Sequence, residues 1–317
     1  MLTLMLRRLM GALFAFLFAS VVVFVCLQAL PGDACTAMLG QQQGDALALA
    51  RCRGELGLDQ AGVLRFAHWL GSLLRGDFGI ALSRGQSVAD ILGPRLRNTA
   101  LLGGAAALVG IPLAIVLGVV AGLRRDRPSD LAISGIALFA MTVPEFVSAT
   151  LLIYVFAIWL RWLPAVTVIP PSAPIGEFLP NIVLPVVTLG LVMTAHIMRI
   201  ARTSVIEVMA SDYVEAARLR GLPMLPLLLR HVLPNALIPT LNLAALTLAW
   251  LLGGVVIIEQ VFNYPGVGTL MIQAIHDRDL ALIQTITLMF VVTYIAVNLL
   301  ADLLALALDP RLRSQVR

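Results

Sequence analysis

Six long runs of apolar residues with few or no charges alternate with polar connections: about Leu9 to Leu30, Thr99 to Leu123, Leu131 to Leu160, Ile182 to Ile200, Leu237 to Ile258 and Leu280 to Leu308. An α-helix needs roughly 20 residues to cross the ~30 Å hydrocarbon core of a bilayer. The pattern therefore predicts an all-α integral membrane fold of six transmembrane helices, the last five forming one membrane domain over residues 99–308. The connection from Pro31 to Asn98 breaks the rhythm. In it Val63, Phe66, Ala67, Leu70 and Leu74 recur at helical spacing beside Trp69. That spacing predicts an amphipathic helix lying on the membrane surface or packed on the bundle, ended by the turn-prone Arg75-Gly76-Asp77-Phe78-Gly79. Residues 309–317 form a short polar tail.

Composition agrees with this reading. The 317 residues are 60% hydrophobic and 13% charged, with a net charge of +4 and a mean hydropathy of +0.95. An excess of arginine suggests nucleic acid in a soluble chain, but here it has a simpler cause, the bias that orients helices in a membrane. Arg7 and Arg8, then Arg124, Arg125 and Arg127, then Arg199 through Arg230, and Arg311, Arg313 and Arg317 fall on one side. That side is expected to be the cytoplasm, with both termini inside an inner (cell) membrane. The first run, residues 1–30 with its flanks, exceeds the 7–15 apolar residues of a secretory signal and is expected to remain as an anchor. Cys35 and Cys52 then lie in the outer loop, 31–98, where an oxidising compartment permits a disulfide; two free thiols are the alternative.

Enzymatic chemistry finds little to build on. His68, His196, His231 and His276 show no metal-ligand spacing, the three cysteines form no CxxC, and neither G-x-S-x-G nor HExxH occurs. Every one of the 22 basic side chains is arginine. A P-loop requires a lysine to reach the terminal phosphates, so this chain is expected to bind no cofactor, and any ATP and Mg would belong to a separate ATPase subunit. Inside the third run stands Glu145, after Pro144. An ionisable group at membrane depth is costly, so it is expected to line a pathway or to have a partner, while the proline supplies a kink. A structural carboxylate is the competing reading. Glu259, Phe262 and Pro265-Gly266, in the connection after the fifth run, are candidate gate residues, with Pro265-Gly266 suited to the centre of a type II turn.

The most informative connection, 205–236, separates the fourth and fifth runs and carries far more charge than a turn needs. Ser211 or Asp212 can cap a helix, with Asp212, Tyr213 and Glu215 at its start and Arg218 and Arg220 at its end, as the helix dipole favours. Gly221 stops it, and Pro223 and Pro226 prevent a continuous rod. Helix, glycine turn and second short helix make a rigid knob, with small Ala216 and Ala217 permitting a partner's close approach.

Glu215-Ala216-Ala217, three residues, Gly221, nine residues, position 231, one residue, then Leu233-Pro234 resembles the EAA signature of permease subunits of ATP-binding-cassette importers. His231 stands where that signature has an aliphatic residue. Arg230-His231 with Asn235-Ala236-Leu237-Ile238-Pro239 resembles the peptide and nickel branch, the DppB/OppB type. So do Leu30-Pro31-Gly32-Asp33, Gly76-Asp77-Phe78-Gly79, Pro265-Gly266-Val267-Gly268 and Asp309-Pro310-Arg311. The resemblance implies a MetI-like type I permease working with a second permease, two ATPases and an extracytoplasmic solute-binding protein. It implies that 211–234 is the coupling region, seated on an ATPase. Peptide is the leading solute that it implies, with nickel chelates, opines, glutathione or oligosaccharides as alternatives. An ion-coupled secondary transporter using Glu145 is the reading from another class.

Overall fold

The described part of every apolar run is mainly helical in the computed structural model, which describes residues 2–29, 47, 50, 54 and 60–308. Cys35, Cys52 and the 309–317 tail lie outside the described residues. In chain order the helices are α1 (Leu2–Gln28), α2 (Gly62–Leu74), α3 (Val88–Leu123), α4 (Pro128–Thr142), α5 (Glu145–Leu152) and α6 (Ile175–Phe178). They continue with α7 (Val183–Met209), α8 (Asp212–Leu219), α9 (Met224–Leu227), α10 (Leu233–Val261), α11 (Val267–His276) and α12 (Leu280–Leu308). Two π-helical stretches, Ile153–Trp159 and Leu228–Val232, follow α5 and α9. A two-residue antiparallel ladder, β1 (Ile80–Ala81) with β2 (Gln86–Ser87), pairs Ile80 with Ser87 and Ala81 with Gln86.

Among the described residues, five helical stretches are long and apolar enough to cross a membrane. The third run differs from the single kinked helix expected of it. It is a pair, α4 and α5 with its π-helical extension, bent by 108° at the break. The cause is local. Pro144 has no N–H to continue the ladder of α4 and its ring excludes the helical conformation from Val143, which is extended at ψ 125°. At 36 residues, α3 is about 54 Å long, so it outruns the hydrocarbon core of a bilayer.

The chain divides into two compact units. One comprises Ala100–Tyr264 and Ala296–Arg317. Its centre is α7, packed against α10, α4 and α5, and its core includes Leu102, Met193, Ile197, Ile258 and Phe262. Without a hydrophobic drive between helices in lipid, close backbone approach through small residues holds such bundles together. Here Gly110, Ala114, Gly118 and Gly122, spaced by four on α3, supply it. A Cβ on Gly118 would stand 2.5 Å from the Ala201 Cβ and 2.7 Å from the Met198 carbonyl, and one on Gly122 would stand 2.8 Å from the Val205 Cβ. Nearby, Asp130 at the start of α4 is fully buried and accepts Arg202 Nε at 2.6 Å and a second guanidinium nitrogen at 2.7 Å. The Asp126 backbone N–H, at 2.9 Å, and the Ser134 hydroxyl, at 3.1 Å, complete its partners.

The other unit comprises Leu2–Thr99 and Pro265–Ile295. Its core joins Val88 and Leu92 to Val267, Leu270, Leu282 and Ile286. The amphipathic helix α2 takes the packed alternative: Phe66 and Trp69 meet Phe24 of α1 at ring centroid distances of 5.3 and 5.8 Å. The ladder's turn is tied down by Asp279, which accepts the Ser83 backbone N–H at 2.9 Å and its hydroxyl at 2.8 Å.

Candidate functional site

The 211–234 segment grows directly from the end of α7. Ser211 occupies the position before α8 with extended backbone, but its hydroxyl donates to the Val208 carbonyl, so it ties α8 to α7 instead of capping α8. Asp212 and Glu215 occupy the first turn of α8 and Arg218 the last, the order that the helix dipole favours. The far end is closed by a double hydrogen bond, Gly221 N–H to the Arg218 carbonyl at 2.9 Å and Leu222 N–H to the Ala217 carbonyl at 3.3 Å. This is the Schellman closure, and it requires a left-handed residue at its centre. Gly221, at φ +80°, is that residue.

The two faces of α8 then separate. Val214 and Ala217 are buried on a cluster with Val205, Leu227, Val232 and Ala236. Ala217 therefore packs inward on its own chain, and of the two alanines expected to receive a partner only Ala216 is exposed. Outward lie Tyr213, Glu215, Arg220 and Leu219, the last 83% exposed, followed by exposed Leu222, Met224 and Leu225. The Arg218 guanidinium lies 3.9 Å from the Met209 sulfur. Beyond Pro223, α9 and the π-helical turn run without interruption into α10. Pro234, exposed in the first turn of α10, has no N–H and its ring crowds the carbonyls behind it, which accounts for the wide turn just before it. Leu233 is half-buried.

Pro144 and Glu145 mark the break of the third run. Glu145 opens α5, and its carboxylate lies against α10 where a side chain is missing: a Cβ on Gly254 would stand 2.9 and 3.1 Å from its two oxygens. Glu145 Oε2 is buried and has no hydrogen-bond partner among the described residues. Glu259 and Phe262, the other pathway candidates of this unit, are enclosed at 0% and 1% exposure and reach no surface in this conformation.

The loop after α10 is built differently from the type II turn expected at Pro265-Gly266. Gly266 has φ −107° and ψ −169°, an extended conformation, and sits before the first turn of α11. The positive φ falls on Asn263, at 49°, where Tyr264 N–H reaches back to the Glu259 carbonyl at 2.8 Å to close α10. Asparagine tolerates the left-handed region through its short polar side chain. In the second unit Asn98 Nδ2 donates to the Pro265 carbonyl at 3.0 Å, the Thr99 hydroxyl accepts the Val267 N–H at 2.8 Å, and Arg95 reaches the Gly266 carbonyl at 3.3 Å. A row of polar residues at the start of α3 thus holds the start of α11.

Residues 114–314 match the family described as binding-protein-dependent transport system inner membrane component, and residues 1–102 match the N-terminal domain described for the same systems. The chain belongs to that family. It is the permease component of an ATP-binding-cassette importer. The permease is 34% identical over 308 residues to a Sinorhizobium fredii protein named as a peptide ABC transporter permease, covering 97% of this chain and 98% of that one. It is 33% identical over 313 residues to the Escherichia coli glutathione transport system permease protein GsiC, covering 99% of each. A solved structure titled as an amino acid ABC transporter with histidines superposes with a TM-score of 0.53 at 18% identity, over 68% of the permease and 94% of that chain. That likeness concerns the fold.

Three groups in the permease escaped sequence reasoning. The small stripe Gly110-Ala114-Gly118-Gly122 was legible in principle from its spacing of four. The pair Asp130 and Arg202 is separated by 72 positions, and the Arg95, Asn98 and Thr99 row meets its loop across roughly 170, a span over which no local pattern carries a signal.

Proposed function

We infer that the permease, paired with a second related permease and two ATPase subunits, conducts peptides handed over by an extracytoplasmic solute-binding protein. The observation that carries this is the build of the 211–234 segment. One face of α8 is locked to the core through Val214 and Ala217, its end is sealed at Gly221, and its free face offers Ala216, Leu219, Leu222 and Leu225. A segment anchored this way moves with α7 and α10 as one piece. Alternating access needs a motor that contacts the inward-open and outward-open states differently, and a rigid knob gives an ATPase such a handle. The role extends to Asp212, Tyr213, Glu215, Arg218, Arg220, Leu233 and Pro234 as its flanks. ATP and Mg belong to the ATPases, and the permease itself binds no cofactor. The arginine-rich connections, and with them both termini, face the cytoplasm across the inner membrane.

Peptide as the solute rests on the names of the relatives. Glutathione, itself a short peptide, is the second reading, favoured by the likeness to GsiC. The test is uptake into proteoliposomes holding both permeases and the ATPases, with loaded binding protein outside. The expected result is dipeptide accumulation that needs ATP, stops with vanadate, and disappears in Ala216→Trp although the variant inserts normally. Uptake driven by an ion gradient without ATP, or full uptake by Ala216→Trp, would overturn the reading.

A further inference from the structure

Within its third apolar run the permease keeps a carboxylate that no described residue neutralises. Among the described residues Asp130 is matched by Arg202, and Glu259 is enclosed in the core. Glu145 differs from both. It forms no ion pair or hydrogen bond with the described residues, and its Oε2 is buried without a partner. An ionised group in such surroundings persists only with a counter-charge or a functional reason. Its placement narrows the reason. Glu145 stands at the 108° break of the third apolar run, where α4 ends and α5 begins. Irregular backbone at membrane depth is tolerated where it is enclosed by protein or lines a water-filled cavity. Across from it Gly254 presents bare backbone, and the three atoms nearest to where a Cβ on Gly254 would stand all belong to the Glu145 carboxylate. The neighbouring Gly253 is exposed and has no atom within 4 Å of where a Cβ would stand. A carboxylate held beside the bare backbone of Gly254 offers one strong acceptor and little steric bulk opposite it. Those two properties suit transient contact with a cation that must also be released.

We propose that Glu145 is the counter-charge for a cationic group of the solute as it passes the break in the third span. The chemistry selects ammonium or guanidinium groups, which donate several charge-assisted hydrogen bonds to a carboxylate. The ligand class is thus a solute bearing such a group, a basic peptide above all, and the assignment rests on the peptide reading above. Arginine from a second permease subunit could offer the same chemistry from a fixed position, and the experiment separates the two sources.

The test uses the complete reconstituted transporter, with binding protein saturated in turn by alanyl-lysine and by alanyl-glutamate, so that affinity for the binding protein drops out. The readout is the ratio of the two initial uptake rates. Replacing Glu145 by Gln lowers the lysine-to-glutamate ratio by about tenfold, as expected for one charge contact at intermediate dielectric, Glu145→Asp restores most of it, and Glu145→Lys lowers it further. An unchanged ratio in Gln and Lys variants that still carry either peptide overturns the proposal, and equal losses for both peptides assign the carboxylate to a fixed partner instead. If the unaltered transporter moves neither peptide, the peptide reading fails and this assignment falls with it; uptake with an invariant ratio defeats this assignment alone.

Discussion

Replacing Arg202 by Met removes both charged donors from a carboxylate that cannot reach water. Asp130 is 1% exposed at the side chain, whereas Arg202 is 26% exposed, so the two halves of the pair are not equivalent. After Arg202→Met, Asp130 keeps only the Asp126 N–H and the Ser134 hydroxyl, two neutral donors for a buried charge. Removing one partner of a buried pair costs about 3–5 kcal/mol. Asp130→Asn instead leaves a guanidinium with an opening to the surface, and retains an oxygen acceptor for the Asp126 N–H. Its cost is about 1–2 kcal/mol, that of weakened hydrogen bonds. In a chain of this size ~1 kcal/mol moves the melting temperature by roughly 2 °C, so Arg202→Met lowers it by about 6–10 °C and Asp130→Asn by about 2–4 °C. The double variant, which leaves no buried charge, falls near Asp130→Asn instead of at the sum. The assay is the loss of monodisperse complex in detergent after heating, followed by fluorescence-detected gel filtration. Equal losses for the two single variants, or an additive double variant, would refute the argument that Asp130 is the costly half.

Gly118→Leu forces α3 from α7, because even a Cβ would lie 2.5 Å from the Ala201 Cβ and 2.7 Å from backbone. A destabilisation of at least about 1–3 kcal/mol is expected, visible as reduced melting temperature, while Gly104→Leu, at a site with no neighbour within 4 Å, leaves it unchanged. Gly221→Val, at φ +80°, strains the closure of α8 by about 1–2 kcal/mol, and it should lower solute moved per ATP hydrolysed with little change in membrane insertion. If the bent α4–α5 pair crosses the membrane, reporter fusions at the two ends of the chain report the same side; a pair that turned back would put them on opposite sides.

The membrane class and the segment 211–234 were legible because their signals are local. Apolar runs of bilayer length have no soluble alternative, and the Glu215-Ala216-Ala217 to Gly221 spacing needs only helix and turn chemistry to be read. Gly221 shows this well, since the expected stop and the observed left-handed residue are one fact. The signal became ambiguous wherever two candidates were adjacent. Ala216 and Ala217 are the same residue type one position apart, and which of them stays exposed depended on where Val205, Leu227 and Val232 of the same unit stood. Asn263 and Gly266 both accept a reversal, and Asn263 took it because α10 ended there, while the polar row from Arg95 to Thr99 held the Pro265 and Gly266 carbonyls extended.

By itself the sequence determined that this chain lives in a bilayer, that it lacks the lysine of a nucleotide site, and that it carries a structured knob between its fourth and fifth spans, because hydropathy, composition and capping act over a few turns of chain. Only the tertiary structure decided that α3 and α7 meet through bare glycine and that Asp130 is already matched by Arg202. It also decided that Glu145 stands opposite Gly254 with no partner among the described residues. Whether a charge is neutralised depends on which groups the fold brings within hydrogen-bond reach, and where burial keeps water from making up the difference, that proximity separates Asp130 from Glu145.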